Sequence, residues 1–305
     1  MDDIALMGEL RPVLARLFER HLATTKEWFP HALVPWDRGA ALDATATWRD
    51  DAMALPRAVR SALFVNLLTE DNLPHYFETL NRVFADEAWR EWSRRWTAEE
   101  MRHAIVIRDY VVVSGALDPV ELERARMAQV TRGQVPQPRA VTDGLVYVAL
   151  QELATRIAHR NTGKLLDDPA GYAIMSRVAS DENLHHLLYR DLVSAALEVD
   201  PSATMCAIER QVRGFEMPGT GIPDFAHHAA AIADVEIYDL AIHHDQILVP
   251  VVMRHWRVEQ IQGLSPDAEA ARVALLRRIE RTGTVARKQA GRRARRAVPI
   301  TASVG

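Results

Sequence analysis

Cysteine occurs once in the 305 residues, at Cys206. An internal disulfide is therefore excluded, and so is any zinc or iron–sulfur site built on thiolates. A long uncharged apolar run is also missing, and so is a signal-peptide pattern, since the opening MDDIALMGELRPVLARL is acidic and amphipathic. These absences point to a cytoplasmic protein with no membrane span. Strand signals are scarce, and no low-complexity segment precedes the C-terminal tail. Any metal chemistry must run on His and carboxylates.

What is present is helical periodicity over most of the chain. Long helices are expected near 3–25, 57–85, 87–114, 139–166, 169–198 and 225–260, with shorter ones near 119–134, 202–215 and 266–281. Asp118-Pro119 and Asp168-Pro169 are strong helix starts, with Asp as cap and Pro at the first helical position. The fold class expected is all-α, a bundle of long helices with short links. Residues 1–281 read as a single domain, with residues 1–45 as an N-terminal leader packing on the bundle. The net charge of −4 is unevenly spread. Ten Arg or Lys against the single acid Glu280 give +9 between Arg272 and Arg296, so the rest of the chain carries −13. The segment 282–305 therefore reads as a basic, flexible tail that suits an acidic partner. With no aromatic interleaving and an acidic body, nucleic acid is not expected as a partner.

The stretch SDENLHHLL places Glu182-x-x-His185 inside an apolar helical run. On a helix, residues three apart differ by about 60° in direction and about 4.5 Å in height, so both side chains can reach one ion. A lone ExxH is common, but a second one, Glu100-x-x-His103, lies 82 residues earlier. Glu70 and Glu152 keep the same offset of 82, each standing 30 residues ahead of its ExxH. A helix, a turn and a returning helix bring those positions level in an antiparallel hairpin. Two such hairpins make a four-helix bundle with four Glu and two His converging at mid-height. Taken singly, Glu99-Glu100 reads as a solvated acidic pair. Glu152 does not, because LVYVALQELATRIA is apolar on most sides and an unpaired carboxylate there costs several kcal/mol. Four carboxylates with two imidazoles describe a ferritin-like dinuclear site, one Glu from each of two helices and Glu-x-x-His from the other two. Two divalent ions would offset a charge of about −4 that no dry core tolerates alone.

In order, spacing and flanking residues, WFPHALVP, LLTEDNLPHYF, WTAEEMRH, QELATRIAHRNTG and SDENLHH resemble the soluble acyl-[acyl-carrier-protein] desaturases, in an actinobacterial form. The resemblance covers roughly residues 10–255. It implies two iron ions held by Glu70, Glu100, His103, Glu152, Glu182 and His185, with Glu100 and Glu182 bridging. Thr155 resembles a threonine beside the oxygen-binding face, implicated in proton delivery, although a helical Thr also bonds back to carbonyls. Trp28, Asp181 and His103 resemble a chain that passes electrons to the irons. Trp96 and His159 match family positions suited to packing and hydrogen bonding, whereas His186 has no match and reads as a surface residue or a neighbour of the ligands. The implied reaction introduces a cis double bond into a saturated acyl chain on acyl carrier protein. It would use O2 and a ferredoxin-type electron donor, and the family's habit is a homodimer.

Three rivals share parts of this pattern. A ferritin-like iron oxidase needs far less chain. The small subunit of ribonucleotide reductase begins its ligand set with Asp and places a Tyr four residues after the first His, where this chain has Glu70 and Ile107. A catalytically degenerate acyl-carrier-binding protein would keep the fold, but the ligand set here is complete.

Overall fold

The computed structural model describes residues 1–39, 55–83, 86–219 and 221–297. Among these the chain is helical without a strand. In order come α1 (Asp3–Thr24), α2 (Pro30–Leu33), α3 (Arg57–Glu70), α4 (Leu73–Val83), α5 (Glu87–Val113), α6 (Pro119–Arg132), α7 (Val141–Leu165), α8 (Pro169–Val199), α9 (Pro201–Arg213), α10 (Phe225–Asp234), α11 (Leu240–His243) and α12 (Pro266–Ala297). The four-helix core is α3, α5, α7 and α8, with α7 and α8 packed along most of their lengths. This is the all-α, ferritin-like bundle with additional helices. No helix among the described residues is long and apolar enough to cross a membrane.

Caps expected from the sequence set the starts of two helices. The Asp118 carboxylate accepts from the amides of Val120 and Glu121, and Asp168 accepts from Ala170 and Gly171. Each satisfies donors that the first helical turn leaves without partners. Part of the leader is α1, whose buried Leu6, Leu10, Leu14 and Leu17 pack against the bundle. Residues 40–45 of that leader lie outside the described residues.

Three expected helices differ from the structure. Of the segment expected over 57–85, the described residues 57–83 form two helices, because Pro74 has no N–H to give Glu70 and the chain breaks at Asp71–Asn72. Asp71 pairs there with Arg126 and Asn72 donates to the Gln134 carbonyl. The segment 225–260 is interrupted by Glu236, which sits at φ 57° in the left-handed region. The chain then re-enters helix at α11 and widens into a π-helix over His244–His255 that contains Pro250. A wider turn suits a residue that cannot donate in the α pattern. Finally, α12 does not stop near 281. Up to Ala297, the basic segment is the second half of one helix anchored by buried Leu275, Ile279 and Ala286.

The core has two main apolar clusters stacked along the bundle. One includes Trp89, Trp92, Trp96, Leu188 and Tyr189. The other includes Leu63, Val106, Tyr110, Ile174 and Val178. On α5 and α8 the buried residues between these clusters are mostly polar, and they include Glu100, His103, Glu182 and His185.

Candidate metal centre

Each hairpin delivers its ligands at the level where the clusters meet. Glu70 is the last residue of α3, Glu152 lies mid-way along α7, and α5 and α8 each supply a Glu-x-x-His pair. All six side chains are buried, Glu152 and both imidazoles completely. They form two groups whose ligand atoms lie within 4.8 Å of one another: Glu70, Glu100, His103 and Glu182, and Glu100, Glu152, Glu182 and His185. Glu100 and Glu182 belong to both.

The nitrogens facing the centre are Nδ1. His103 Nδ1 lies 3.3 Å from Glu100 Oε2 and 3.3 Å from Glu182 Oε1. His185 Nδ1 lies 2.8 Å from Glu100 Oε1 and 3.5 Å from Glu152 Oε2. Yet both Nδ1 atoms, Glu100 Oε1 and Glu152 Oε2 are buried without a hydrogen-bond partner. Buried polar atoms are rarely left so, and a cluster of them aimed at common points is what metal ligands look like. The donors are carboxylate oxygens and imidazoles, a set suited to iron or manganese. The residues fit a pair of divalent ions.

Electrostatics lead to the same conclusion. Burial pushes the Glu152 carboxyl well up, reinforced by Glu182 and Glu100, and burial with Glu182 also raises Glu100. Burial also acts on Glu70 and Glu182, but the nearby His103 imidazole, with His159 added at Glu70, outweighs it and holds both below the usual range. Both imidazoles are pushed well up despite burial, because carboxylates surround them. The raised groups favour keeping their protons while no cation is present. Divalent cations would replace those protons.

Neighbours hold the carboxylates in place. Trp96 Nε1 donates to Glu152 Oε1 at 3.0 Å, and His159 Nε2 lies 2.9 Å from Glu70 Oε1. Thr155 Oγ1 lies 3.0 Å from Glu182 Oε2 and also within bonding distance of the Gln151 and Glu152 carbonyls. It combines the helix back-bond with a contact to a shared carboxylate. Trp28 Nε1 donates to Asp181 Oδ2 at 2.7 Å, and His103 Nε2 lies 3.5 Å from the same oxygen. The sequence-predicted trio of Trp28, Asp181 and His103 is thus brought together. His186 faces away: it is buried, not at the surface, with Nδ1 2.7 Å from the Ala149 carbonyl, and burial lowers its pKa to about 4.

Sequence reasoning missed Glu99. It is buried, not solvated, and both His185 Nε2 and His21 Nε2 lie 2.9 Å from its Oε2. A signal existed, since Glu99 stands 82 residues before Asp181, the offset that located the ligands. His21 carried no comparable signal.

One cavity at the centre is walled by Glu70, Glu100 and Glu182 together with Leu73, Tyr76 and Trp96. A second, mostly apolar, shares Tyr76 with it and is lined further by Leu80, Pro136, Pro138 and Val148.

Comparison with known proteins places the chain among relatives. It matches the sequence-family model described as fatty acid desaturase over residues 2–303. DesA1 of Mycobacterium tuberculosis strain H37Rv, named as a candidate acyl-[acyl-carrier-protein] desaturase, is 41% identical over 269 residues, spanning 85% of this chain and 79% of DesA1. The chloroplastic acyl-[acyl-carrier-protein] desaturase 7 of Oryza sativa subsp. japonica is 33% identical over 300 residues, spanning 90% of this chain and 74% of the rice protein. The X-ray structure of DesA2 from Mycobacterium tuberculosis H37Rv, titled as a candidate acyl-ACP desaturase, aligns with a TM-score of 0.69 at 27% identity. That alignment covers 88% of this chain and 99% of the DesA2 chain.

Proposed function

The chain belongs to the fatty acid desaturase family, and from that membership we propose that it is an acyl-[acyl-carrier-protein] desaturase, an oxidoreductase. In this reading it removes two hydrogens from a saturated acyl chain carried on acyl carrier protein and leaves a cis double bond. O2 is the oxidant and a ferredoxin-type protein the electron donor. The observation that carries the reading is the pair of four-ligand groups sharing Glu100 and Glu182 in a buried core.

Glu70, Glu100, His103 and Glu182 would hold one iron, and Glu100, Glu152, Glu182 and His185 the other. Bound there, the iron pair supplies the O2-dependent oxidising power that an unactivated C–H bond requires, since no side chain is basic or nucleophilic enough. The chain's own residues do the rest. The apolar cavity past Tyr76 and Leu80 would accept the alkyl chain and exclude water, and Tyr76, which also lines the cavity at the centre, marks the side from which the chain approaches. Thr155 holds a proton at Oγ1 beside Glu182 Oε2. Asp181 orients His103 through Nε2 and links it to Trp28, the route proposed for incoming electrons. Trp96 and His159 keep Glu152 and Glu70 turned toward the ions. Residues 1–281 act as one catalytic domain of a cytoplasmic homodimer, and the basic end of α12 belongs to partner contact.

The test is reconstitution. Full-length protein loaded anaerobically with Fe(II) is expected to hold two irons per chain. Given ferredoxin, its reductase and O2, it should convert a saturated acyl-ACP to the unsaturated product. Tight iron binding with no unsaturated product across a series of chain lengths would overturn the enzymatic reading in favour of a non-catalytic carrier-binding protein.

A further inference from the structure

The offset that repeats the ligands also repeats what stands behind them. Arg95 and Glu99 on α5 correspond, 82 residues on, to Arg177 and Asp181 on α8. Arg95 pairs with Glu99 at 2.5 Å and Arg177 pairs with Asp181, each one helical turn before its carboxylate. The two carboxylates cross over. Glu99 precedes Glu100 on α5 but faces His185 of α8, and Asp181 precedes Glu182 on α8 but faces His103 of α5. Residues from the N-terminal segment complete both ends: His21 from α1 binds Glu99, and Trp28 binds Asp181. Arg102 lies between the two, 4.0 Å from Glu99 Oε1 and 3.5 Å from Asp181 Oδ2.

The two ends are not equal. Glu, longer by one methylene, brings Oε2 to 2.9 Å from His185 Nε2, whereas Asp181 stays 3.5 Å from His103 Nε2. Glu99 Oε2 takes both imidazoles and Oε1 takes Arg95, so every contact of this buried carboxylate comes from a donor. A carboxylate acceptor behind Nε2 keeps the proton on that nitrogen and leaves the Nδ1 lone pair for an ion. His21, Glu99 and His185 also lie within 4.8 Å of one another as a possible ion site. With Arg95 already on the carboxylate, the trio is balanced and hydrogen-bonded, and it serves as support.

We propose that Glu99, held by Arg95 and His21, is a positioning residue that fixes the His185 imidazole for an ion and so governs the affinity of the Glu100/Glu152/Glu182/His185 half. The proposal rests on the dinuclear reading of the centre. It makes the N-terminal helix α1 part of the metal site, because His21 reaches Glu99 from outside the four-helix core.

Anaerobic Fe(II) titration of metal-free full-length protein tests it, with ion stoichiometry read by a chromogenic chelator and coordination by the visible absorption of a Co(II)-loaded sample. Glu99→Ala is expected to weaken one of two ions by about 10- to 100-fold, the usual range for losing such a support, and to leave the other in place. Glu99→Gln keeps an acceptor oxygen and should restore most of the lost affinity while shifting the Co(II) bands. His21→Ala should fall between Glu99→Gln and Glu99→Ala. Two tight ions in Glu99→Ala, or two ions lost together, would overturn the proposal. If Glu99→Ala does not fold, as read by helical circular dichroism, Glu99→Gln with unshifted Co(II) bands overturns it. A parent chain that takes up no ions would sink the dinuclear reading itself, and the proposal with it.

Discussion

His185 Nδ1 lies 2.8 Å from Glu100 Oε1, yet neither atom has a hydrogen-bond partner, so proximity there is geometry suited to a shared ion. Glu152 Oε2 is the third unpartnered atom of the same half. Glu152→Ala should therefore lower iron content from two per chain to one or none and abolish desaturation. Iron stoichiometry and product chromatography check both on one preparation. Two retained irons would remove Glu152 from the ligand set.

Ion affinity should rise with pH. Glu100, Glu152, His103 and His185 all have raised pKa values in the ion-free centre, by burial and like charge for the acids and by surrounding carboxylates for the imidazoles. Each proton so held must leave before an ion binds, so lowering the pH favours the protonated, ion-free form. Chelator competition between about pH 8 and about pH 6 should show affinity falling, with proton uptake on metal removal in weakly buffered solution.

Thr155→Val removes the hydroxyl beside Glu182 Oε2 and preserves shape. Both irons should be retained and turnover should fall about 10-fold or more, while Thr155→Ser should recover it. A fully active valine variant would reduce Thr155 to its back-bonds with Gln151 and Glu152.

Away from the centre, His243 is a buried neutral imidazole. Burial, with His244 nearby, lowers its pKa to about 4, and Tyr238 Oη lies 2.9 Å from its Nδ1. The unfolded chain takes up a proton near pH 6.5 that the folded chain refuses until about pH 4. Stability is thus full above about 6.5 and declines between about 6.5 and 4, by about 3 kcal/mol from this group. In metal-free protein, His243→Phe should flatten the fall in melting temperature across that window. An unchanged slope would mean that His243 does not drive it.

Gly171, in the first turn of α8, leaves no room for a side chain. A Cβ there would stand 2.4 Å from the Tyr110 hydroxyl and 2.7 Å from Tyr110 Cζ, and Tyr110 is fully buried on α5. Gly171→Ala should cost about 1–3 kcal/mol and lower the melting temperature. A paired Tyr110→Phe change, which removes the nearest atom, should return part of it.

Much of the centre was legible because a repeat needs no tertiary knowledge to be seen. Glu70, Glu100, Glu152 and Glu182 repeat at one offset, as do His103 and His185, and the structure places all six in two four-ligand groups. Helix starts with a local cause, such as Asp118-Pro119 and Asp168-Pro169, were legible for the same reason. The break at Asp71–Asn72 had its local cause in Pro74, but the apolar periodicity runs on through it, and the Arg126 and Gln134 partners that hold the kink are tertiary.

By itself, then, the sequence determined the helical class and singled out the six Glu and His residues of the candidate centre with their pairing along the chain, because helix periodicity and residue offset are one-dimensional properties. Only the tertiary structure decided that Glu99 faces His185 while Asp181 faces His103, and that His21 joins the first and Trp28 the second. Those contacts depend on how α1, α5 and α8 lie against one another in the bundle. Spacing within a chain carries no record of which neighbouring helix a buried carboxylate will meet.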